Sequence, residues 1–276
     1  MPPRRLRLDA ELVRRGLARS RDHASELVAA GRVTVAGAVA QKPATAVTTD
    51  VALVVREDPD DPGYASRGAH KLVGALAAFG PLGLGVAGRR CLDAGASTGG
   101  FTDVLLREGA REVLAVDVGY GQLVWRLRTD DRVVVHDRTN IRDLDLDLLG
   151  GPVDLVVGDL SFISLTLVLD ALLGVVAEDG DLALMVKPQF EVGKDRVGKG
   201  GVVRDPALRT EAVVDVAAAA AARGWGARAV VTSPLPGPSG NVEYFLWLRR
   251  GEPTVDADDV AAEVTRGPAG TAEGTA

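Results

Sequence analysis

The sequence has 276 residues, 46% hydrophobic and 25% charged, with a formal net charge of −6, as in an ordinary globular protein with room for two domains. No apolar run reaches about 18 residues, and the basic opening MPPRRLRLDA lacks an apolar segment, so we expect neither a membrane span nor a secretory signal. The one cysteine, Cys91, excludes an internal disulfide and a cysteine-rich metal site, and the three histidines are scattered, so we expect no metal. The lack of disulfides fits a cytoplasmic location.

The first 56 residues form a basic head ahead of an acidic body. Residues 1–56 hold ten Lys and Arg against five Asp and Glu, a local charge of +5. In chain order they predict two short helices, in DAELVRRG and RDHASELVAAG, and then strands in RVTVAGAVA and TDVALVV. We predict a small α+β RNA-binding domain, with a solvated charged face as the other interpretation. The predicted RNA-contacting residues of the head and its border are Arg4, Arg15, Arg19, Arg21, Arg32 and Arg67.

An acidic segment with Pro and Gly, residues 57–65, predicts a linker. Residues 66–250 then alternate helical patterns with buried strand patterns, beginning with the helix SRGAHKLVGALAAFG and the strand RRCLDAGA. This alternation predicts an α/β fold with a Rossmann-like, doubly wound sheet of seven strands. The last two strands follow each other without a helix, which predicts an antiparallel addition at an edge of the sheet.

Two helices and a disordered tail complete the predicted body. We predict one helix across LTLVLDALLGVVAEDG, and another across DPALRTEAVVDVAAAAAARG with Asp205 as cap and Pro206 at its first position. Residues 251–276 hold one Arg against six acids and few large apolar residues, so we expect this acidic tail to be disordered.

A glycine-rich turn follows the first strand of the body. Its glycines allow the backbone to approach a ligand, and the N–H groups of the next helix favour an anionic group. Asp117 ends the following strand, 22 residues beyond Gly95, where a carboxylate can accept ribose hydroxyls. The D-x-G-x-x-x-G-G spacing is familiar in methyltransferases, whereas a generic strand–turn–helix is the other interpretation. The predicted cofactor-binding residues are Asp93, Gly95, Ser97, Thr98, Gly99, Gly100, Phe101, Asp117 and Asp137.

Four charged residues fall at the rim of the predicted sheet. Asp159 follows VDLVVG, Lys187 follows LALMV, Glu243 begins the final strand, and Lys71 lies in the helix before the first strand. A single charge at a strand end is commonly a solvated group. Because ligands bind at the carboxyl ends of parallel strands, four such residues on one rim predict a catalytic group.

A group of lysines and carboxylates suits the transfer of a methyl group to a sugar hydroxyl. A ribose 2′-OH must lose its proton as the new carbon–oxygen bond forms, so a base is needed. A lysine serves as that base when part of its amine is neutral, which a second lysine and partial burial favour and carboxylates oppose. Holding the oxygen, carbon and sulfur in line supplies much of the remaining rate, and no metal is required.

Several motifs resemble one known family. LDAGASTGGFTDVLL, VDVGYGQL, GDLSFISL, VKPQFEVGK, GVVRDP and NVEYFLWL, behind SRGAHKL, are similar to the TlyA family of ribosomal RNA 2′-O-methyltransferases from about residue 1 to 250. The head resembles the αL-type RNA-binding domain of ribosomal protein S-four. The body resembles the FtsJ/RrmJ-like methyltransferases, whose Lys-Asp-Lys-Glu tetrad falls on Lys71, Asp159, Lys187 and Glu243.

The resemblance implies a function and its partners. S-adenosyl-L-methionine would be the cofactor, Lys187 the base, and the 2′-OH of cytidine in ribosomal RNA or ribosomal subunits the target. The head has an intact first helix, as in the subgroup that modifies both large-subunit and small-subunit RNA. We expect a monomer with no membrane partner.

The segment EVGKDRVGKGGVVRD follows Lys187 and combines four glycines with basic residues. We predict a mobile loop over the active site whose Lys194, Arg196 and Lys199 contact RNA phosphates, with a solvated surface loop as the alternative.

Three other functions fit parts of the pattern. A non-catalytic ribosome-binding factor would bind RNA without transferring a methyl group. A nucleotide-dependent dehydrogenase would use the same crevice for NAD(H). A cytolysin is the third possibility, because members of the TlyA family have also been labelled haemolysins. It would need an amphipathic membrane segment that the sequence lacks.

Overall fold

The computed structural model describes residues 5–18, 21–56, 62–237 and 239–267, so part of the predicted linker lies outside the described residues. The chain divides into two compact units, residues 1–67 and 68–276.

The first unit is a small α+β domain, as predicted. Its elements are β1 (Arg5–Arg7), α1 (Leu8–Arg14), α2 (Arg21–Ala29), β2 (Val33–Val35), β3 (Ala38–Val39), β4 (Ala46–Thr48) and β5 (Leu53–Val55). β1 pairs with β4, and β2 lies between β3 and β5, all antiparallel. Leu8, Leu12, Leu27 and Val33 are buried together and form the core between the helices and strands.

The second unit contains the predicted seven-stranded sheet and the helices around it. Its strands are β6 (Arg90–Ala94), β7 (Glu112–Asp117), β8 (Val133–Asp137), β9 (Val153–Gly158), β10 (Val176–Val186), β11 (Trp225–Thr232) and β12 (Tyr244–Arg250). Its helices are α3 (Ala69–Phe79), α4 (Gly100–Arg107), α5 (Trp125–Arg128), α6 (Leu146–Leu149), α7 (Leu169–Gly174), α8 (Pro188–Glu191), α9 (Pro206–Ala221) and α10 (Ala257–Arg266).

The strand order is β11-β12-β10-β9-β6-β7-β8. β12 runs antiparallel to both β10 and β11, whereas the β10-β9-β6-β7-β8 pairs are parallel. The last two strands are added at one edge of the sheet, as predicted, with the antiparallel β12 inside and β11 outermost. Because no helix connects it to β11, the chain can only turn back along its neighbour.

This topology places polar residues together at the carboxyl ends of the parallel strands. β6, β7, β8, β9 and β10 end there, and β12 begins there because it runs the opposite way. Val186 at the end of β10 pairs with Tyr244 at the start of β12. Lys187 and Glu243, the next residues outward on these two strands, are therefore brought to the same place.

Two local predictions were wrong. The segment predicted as one helix, LTLVLDALLGVVAEDG, forms a 3-10 turn and the short α7, and it then enters β10 at Val176, where β-branched residues favour the strand. The tail is not disordered over the described residues up to 267, because α10 forms with Asp256 and Asp259 as a capping box. α10 buries Val260 and Val264 and packs against α9 and β11. Residues 268–276 lie outside the described residues.

The helix predicted after Asp205 is confirmed as α9. The Asp205 carboxylate accepts a hydrogen bond from the N–H of Ala207, and Pro206 occupies the first helical position.

Candidate active site

The four predicted catalytic side chains meet at the carboxyl ends of the parallel strands. Lys71 extends from α3, and its Nζ lies 2.7 Å from Oε2 of Glu243 and 3.5 Å from Oδ2 of Asp159. Nζ of Lys187 lies 2.6 Å from Oδ1 of Asp159. Acidic and basic side chains therefore alternate along a row from Glu243 through Lys71 and Asp159 to Lys187.

The row is mostly buried, with Asp159 as its most accessible carboxylate. Paired charges in a poorly hydrated site attract one another strongly, and each restricts the position of its neighbour. Asp159 thereby fixes the direction of both lysine side chains.

Close backbone approaches bring these residues together. A Cβ on Gly237 would lie 2.5 Å from Oε1 of Glu243, so this position has no room for a side chain. A Cβ on Gly74 would lie 2.7 Å from Cγ of Pro234, so glycine allows α3 to approach the loop before Glu243. Lys71 is presented one turn earlier on α3.

Two polar neighbours of the row were not predicted from the sequence. Lys187 Nζ donates to Oγ of Ser161 at 2.8 Å, and Nε2 of Gln189 donates to Oε1 of Glu243 at 3.2 Å. Each follows a predicted catalytic residue by two positions, Ser161 in GDLSF and Gln189 in VKPQF. A polar residue two positions after a predicted catalytic residue could therefore have indicated both neighbours.

The predicted glycine turn lies beside this row. A Cβ on Gly95 would lie 3.2 Å from the backbone oxygen of Asp159. Gly99 has a φ of +98°, and a Cβ there would meet Leu127 at 2.4 Å. The turn therefore depends on glycine for both its conformation and its close packing.

Asp117 organises the turn from the next strand. Its Oδ2 accepts the N–H of Ser97 at 2.8 Å, and its Oδ1 accepts the N–H of Gly119 at 2.7 Å. Ser97 holds a positive φ of 47° and is exposed. A carboxylate at this strand end is suited to ribose hydroxyls, since each of its oxygens has a further lone pair.

Asp93 has a carboxylate oxygen that could accept a hydrogen bond from a bound ligand. It is fully buried, and Oγ1 of Thr102 donates to its Oδ2 at 2.7 Å. Its Oδ1 has no hydrogen-bond partner within the described part of the chain. Burial raises the pKa of Asp93 to about 7. A cationic amine, such as that of S-adenosylmethionine, would supply the missing donor, so the residues present fit this cofactor.

Of the other predicted cofactor residues, some lie in the glycine turn and others have partners elsewhere. Thr98 and Gly100 lie in the turn and at the start of α4, as expected. Phe101 is buried with its ring 5.9 Å from that of Phe245, so its side chain belongs to the core and not to the crevice. Asp137 lies beside Asp117 at the end of β8, but its carboxylate is paired with Arg128.

The head holds some of its arginines internally. Arg15 donates to Oε1 of Glu11 and to the backbone oxygen of Val51, each at 2.7 Å. It therefore has a structural role that the prediction of RNA contact did not include. Arg14 and Arg15 hold the pKa of buried Glu11 at about 2.

Other predicted arginines of the head are more accessible. Arg21 pairs with Asp9 at 3.1 Å, and Arg67 pairs with Glu26 at 3.1 Å. Both arginine side chains are more than half exposed. Arg32 donates to the backbone oxygen of Arg56 at 3.0 Å. Arg4 and Arg19 lie outside the described residues.

The predicted basic loop is anchored beside the catalytic row. Oδ1 of buried Asn241 accepts the N–H of Val203 at 2.9 Å, and its Nδ2 donates to the oxygen of Gly201 at 2.8 Å. Lys194 and Lys199 are exposed on this loop. Arg196 is exposed as well, but it pairs with Glu211 on α9, so part of its charge is neutralised.

Two other features are absent from the ranges that the structure describes. Over residues 5–18, 21–56, 62–237 and 239–267, no group of three or more His, Cys, Asp or Glu is arranged to hold a metal ion. Within those same ranges, no helix is both long and apolar enough to cross a membrane.

Comparison with known proteins agrees with this geometry. Residues 64–250 match the FtsJ-like methyltransferase family, and residues 6–52 match the S4 domain. The chain is 63% identical over 246 residues to the 16S/23S rRNA (cytidine-2′-O)-methyltransferase TlyA of Mycobacterium tuberculosis (strain H37Rv), which covers 89% of this chain and 90% of that protein. It is 36% identical over 185 residues to the 23S rRNA (cytidine-2′-O)-methyltransferase TlyA of Campylobacter jejuni, over 67% of this chain and 70% of that protein.

A solved structure from Streptococcus thermophilus, described as a candidate hemolysin, superimposes with a TM-score of 0.76 and 35% identity over 96% of both chains. These findings confirm the resemblance of the catalytic body and of the basic head. The chain belongs to the FtsJ-like methyltransferase family and, within it, to the TlyA methyltransferases.

Proposed function

We propose that this protein transfers a methyl group from S-adenosylmethionine to the ribose 2′-OH of cytidines in large-subunit and small-subunit ribosomal RNA. Lys187 is the general base of this reaction. The observation that carries the proposal is the position of its buried Nζ, 2.6 Å from Asp159 and 2.8 Å from Ser161, beside the glycine turn. The two TlyA relatives are named for cytidine 2′-O-methylation of ribosomal RNA.

Bound S-adenosylmethionine supplies a methyl group on a positively charged sulfur. Lys187 would accept the 2′-OH proton at Nζ while bound S-adenosylmethionine would supply the methyl group to the ribose oxygen and leave as a neutral thioether. The ammonium group that forms on Lys187 is stabilised by Asp159. Ser161 accepts a hydrogen bond from the same Nζ and fixes its direction.

Lys71 and Glu243 hold the row in place from its buried end. Glu243 neutralises Lys71, and Lys71 in turn contacts the Asp159 oxygen that Lys187 does not use. Asp159 can therefore serve Lys187 without rotating away. A displacement of about 1 Å at a reacting group costs about a hundredfold in rate, so this support matters for activity.

The cofactor would be held at the adjoining turn. Asp93 would accept a hydrogen bond from its amine through the unpaired Oδ1, and Asp117 would bind the ribose hydroxyls. Both carboxylates lie at the ends of neighbouring strands, as the cofactor of a Rossmann-like sheet requires.

The RNA would be held by the head and by the loop after Lys187. An arginine paired with one carboxylate keeps further N–H donors, so Arg21 and Arg67 can still contact phosphates. Lys194 and Lys199 would add phosphate contacts at the catalytic edge. The target ribose would be exposed by local unstacking of the folded RNA. We further propose that the protein acts as a monomer in the cytoplasm.

The test is to incubate the purified protein and methyl-labelled S-adenosylmethionine with assembled subunits and with protein-free ribosomal RNA, and to map the label. We expect label on cytidine 2′-oxygens of both subunits. Label on one subunit alone would contradict the dual specificity. RNA binding without any label would favour the non-catalytic alternative, and binding of NAD(H) would favour the dehydrogenase.

A further inference from the structure

One tryptophan of the catalytic unit is exposed. Trp125 is 76% exposed, whereas Trp225 and Trp247, the other two tryptophans of the chain, are 2% and 3% exposed. Tyr120, five residues earlier, is 67% exposed. Large aromatic side chains gain free energy when they are covered, so exposed ones commonly mark a contact surface.

Trp125 is held in a fixed position relative to the glycine turn. It begins α5, and the N–H of the preceding residue, Val124, donates to the oxygen of Thr98 at 3.3 Å. Leu123 and Leu127 on either side are buried and fill the space that a Cβ on Gly99 would need. The buried leucines anchor the segment, and the indole is left facing solvent.

Tyr120 is accompanied by a cation. The guanidinium carbon of Arg138 lies 4.3 Å from the centre of the Tyr120 ring. The N–H of Arg138 donates to the oxygen of Gly119 at 2.8 Å, which ties the end of β8 to this segment. The stacked pair therefore presents both a positive charge and a flat surface.

Arginines are interleaved with the aromatic side chains of this segment. Residues 118–142 contain five arginines and three aspartates, and three of these arginines pair with Asp103, Asp130 and Asp137. Aromatic rings interleaved with arginines are the combination by which proteins bind unpaired nucleic acid, because bases stack on the rings and phosphates pair with the cations.

We propose that Trp125, Tyr120 and Arg138 form a stacking surface for unpaired nucleotides of the RNA substrate, beside the glycine turn. Paired bases are covered by their neighbours, so only nucleotides that have left a helix offer a free face to the indole. The nucleotides next to a flipped target are in that state. The identity of the RNA as the substrate rests on the proposed function, but the contact itself does not require methyl transfer.

The position of Trp125 allows a direct test by fluorescence in the full-length protein. Because the other two tryptophans are buried, the decrease in emission in Trp125→Phe and the part quenched by iodide both report on Trp125. A short single-stranded RNA should quench this emission, and a duplex of the same length should quench it less. S-adenosylmethionine alone should leave it unchanged.

Binding of the same RNA gives the second measurement. Trp125→Ala should weaken the affinity about tenfold, the loss of one stacked base, and Trp125→Phe should restore most of it. Leu82→Ala, at an apolar residue of similar exposure (62%) elsewhere on this unit, should leave the affinity unchanged.

Three outcomes would overturn the proposal. RNA binding that leaves the Trp125 emission unchanged would show that the ring is not contacted. Equal quenching by S-adenosylmethionine alone would assign the ring to the cofactor, and an equal decrease in affinity in Leu82→Ala would show a nonspecific effect. The measurements are repeated in Lys187→Ala, so quenching that persists there separates this surface from a failure of the proposed reaction.

Discussion

Lys71 and Lys187 contact opposite oxygens of one carboxylate, that of Asp159, at 3.5 and 2.6 Å. The two lysines differ in their other partners, because Lys71 is also 2.7 Å from Glu243 whereas Lys187 has the hydroxyl of Ser161. Lys71 is therefore neutralised by a carboxylate of its own, and Asp159 remains to support Lys187. This asymmetry supports the proposal that Lys187 takes the proton and that Lys71 positions Asp159.

Glu243→Gln should impair both stability and catalysis. It removes the buried partner of Lys71, and breaking a buried ion pair costs about 3–5 kcal/mol of unfolding free energy. The single-turnover rate should fall about a hundredfold, because Asp159 loses its fixed position. Urea denaturation and single-turnover methyl transfer measure the two effects. Glu211→Gln, which breaks an exposed pair with Arg196, is the matched control and should change neither. An unchanged rate in Glu243→Gln would contradict the positioning role.

Binding of S-adenosylmethionine should weaken as the pH falls from about 8 to about 6. The raised pKa of Asp93, about 7, means that the folded apoprotein binds a proton that the unfolded chain does not, so its stability falls as the pH rises toward 7. A cationic amine at Oδ1 favours the ionised form, so below pH 7 the cofactor must displace a proton and loses up to about tenfold in affinity per pH unit.

Calorimetric titration across this range checks the Asp93 prediction. Asp93→Asn should bind S-adenosylmethionine weakly, with an affinity that depends little on pH. Asp117→Asn should also bind it weakly, but its affinity should still fall as the pH falls. A pH-independent affinity in the wild type would show that the amine does not contact Asp93.

Glu263→Ala should destabilise the catalytic unit through the last helix. Oε1 of Glu263 accepts the buried N–H of Thr232 at 2.7 Å, at the end of β11. Leaving that N–H without a partner costs about 1–3 kcal/mol of unfolding free energy, measurable by urea denaturation. Thr265→Ala, at an exposed position of the same helix, should cost less than about 0.5 kcal/mol. Equal stability of the two variants would mean that α10 is not anchored through Glu263.

Replacing Lys194 and Lys199 together by Ala should reduce the salt dependence of RNA binding. Removing one phosphate contact lowers the slope of log affinity against log salt by about 0.7–0.9, so the double substitution should lower it by about 1.5. Fluorescence anisotropy over a salt series measures this slope. Arg223→Ala removes a cation that pairs with Asp170 on another part of the surface, and it should leave the slope unchanged. A slope unaffected by the double substitution would favour the solvated-loop alternative.

The sheet and the catalytic row were predictable because their signals are local. Buried apolar runs mark the strands, and a charged residue directly after a strand must lie at its carboxyl end. The parallel topology then brings Asp159 and Lys187 to one edge, and the antiparallel return of β12 adds Glu243. No long-range information beyond the order of elements was needed.

Pairings between distant segments were less accessible. A count of charges does not reveal that Arg15 bonds to the backbone oxygen of Val51, 36 residues away, because these segments meet only in the folded head. α10 was missed because its apolar face is small and its partners, α9 and β11, lie far back in the sequence. The spacing of Asp256 and Asp259 in the sequence is that of a capping box and could have indicated the start of α10.

The central claim is that Lys187 takes the proton from the sugar hydroxyl. The most direct measurement is the single-turnover rate of 2′-O-methylation by Lys187→Ala, at saturating S-adenosylmethionine and RNA, with both affinities determined separately. A rate about a thousandfold below the wild type, with both affinities unchanged, is the predicted result. Methylation at the full wild-type rate would show that another group removes the proton.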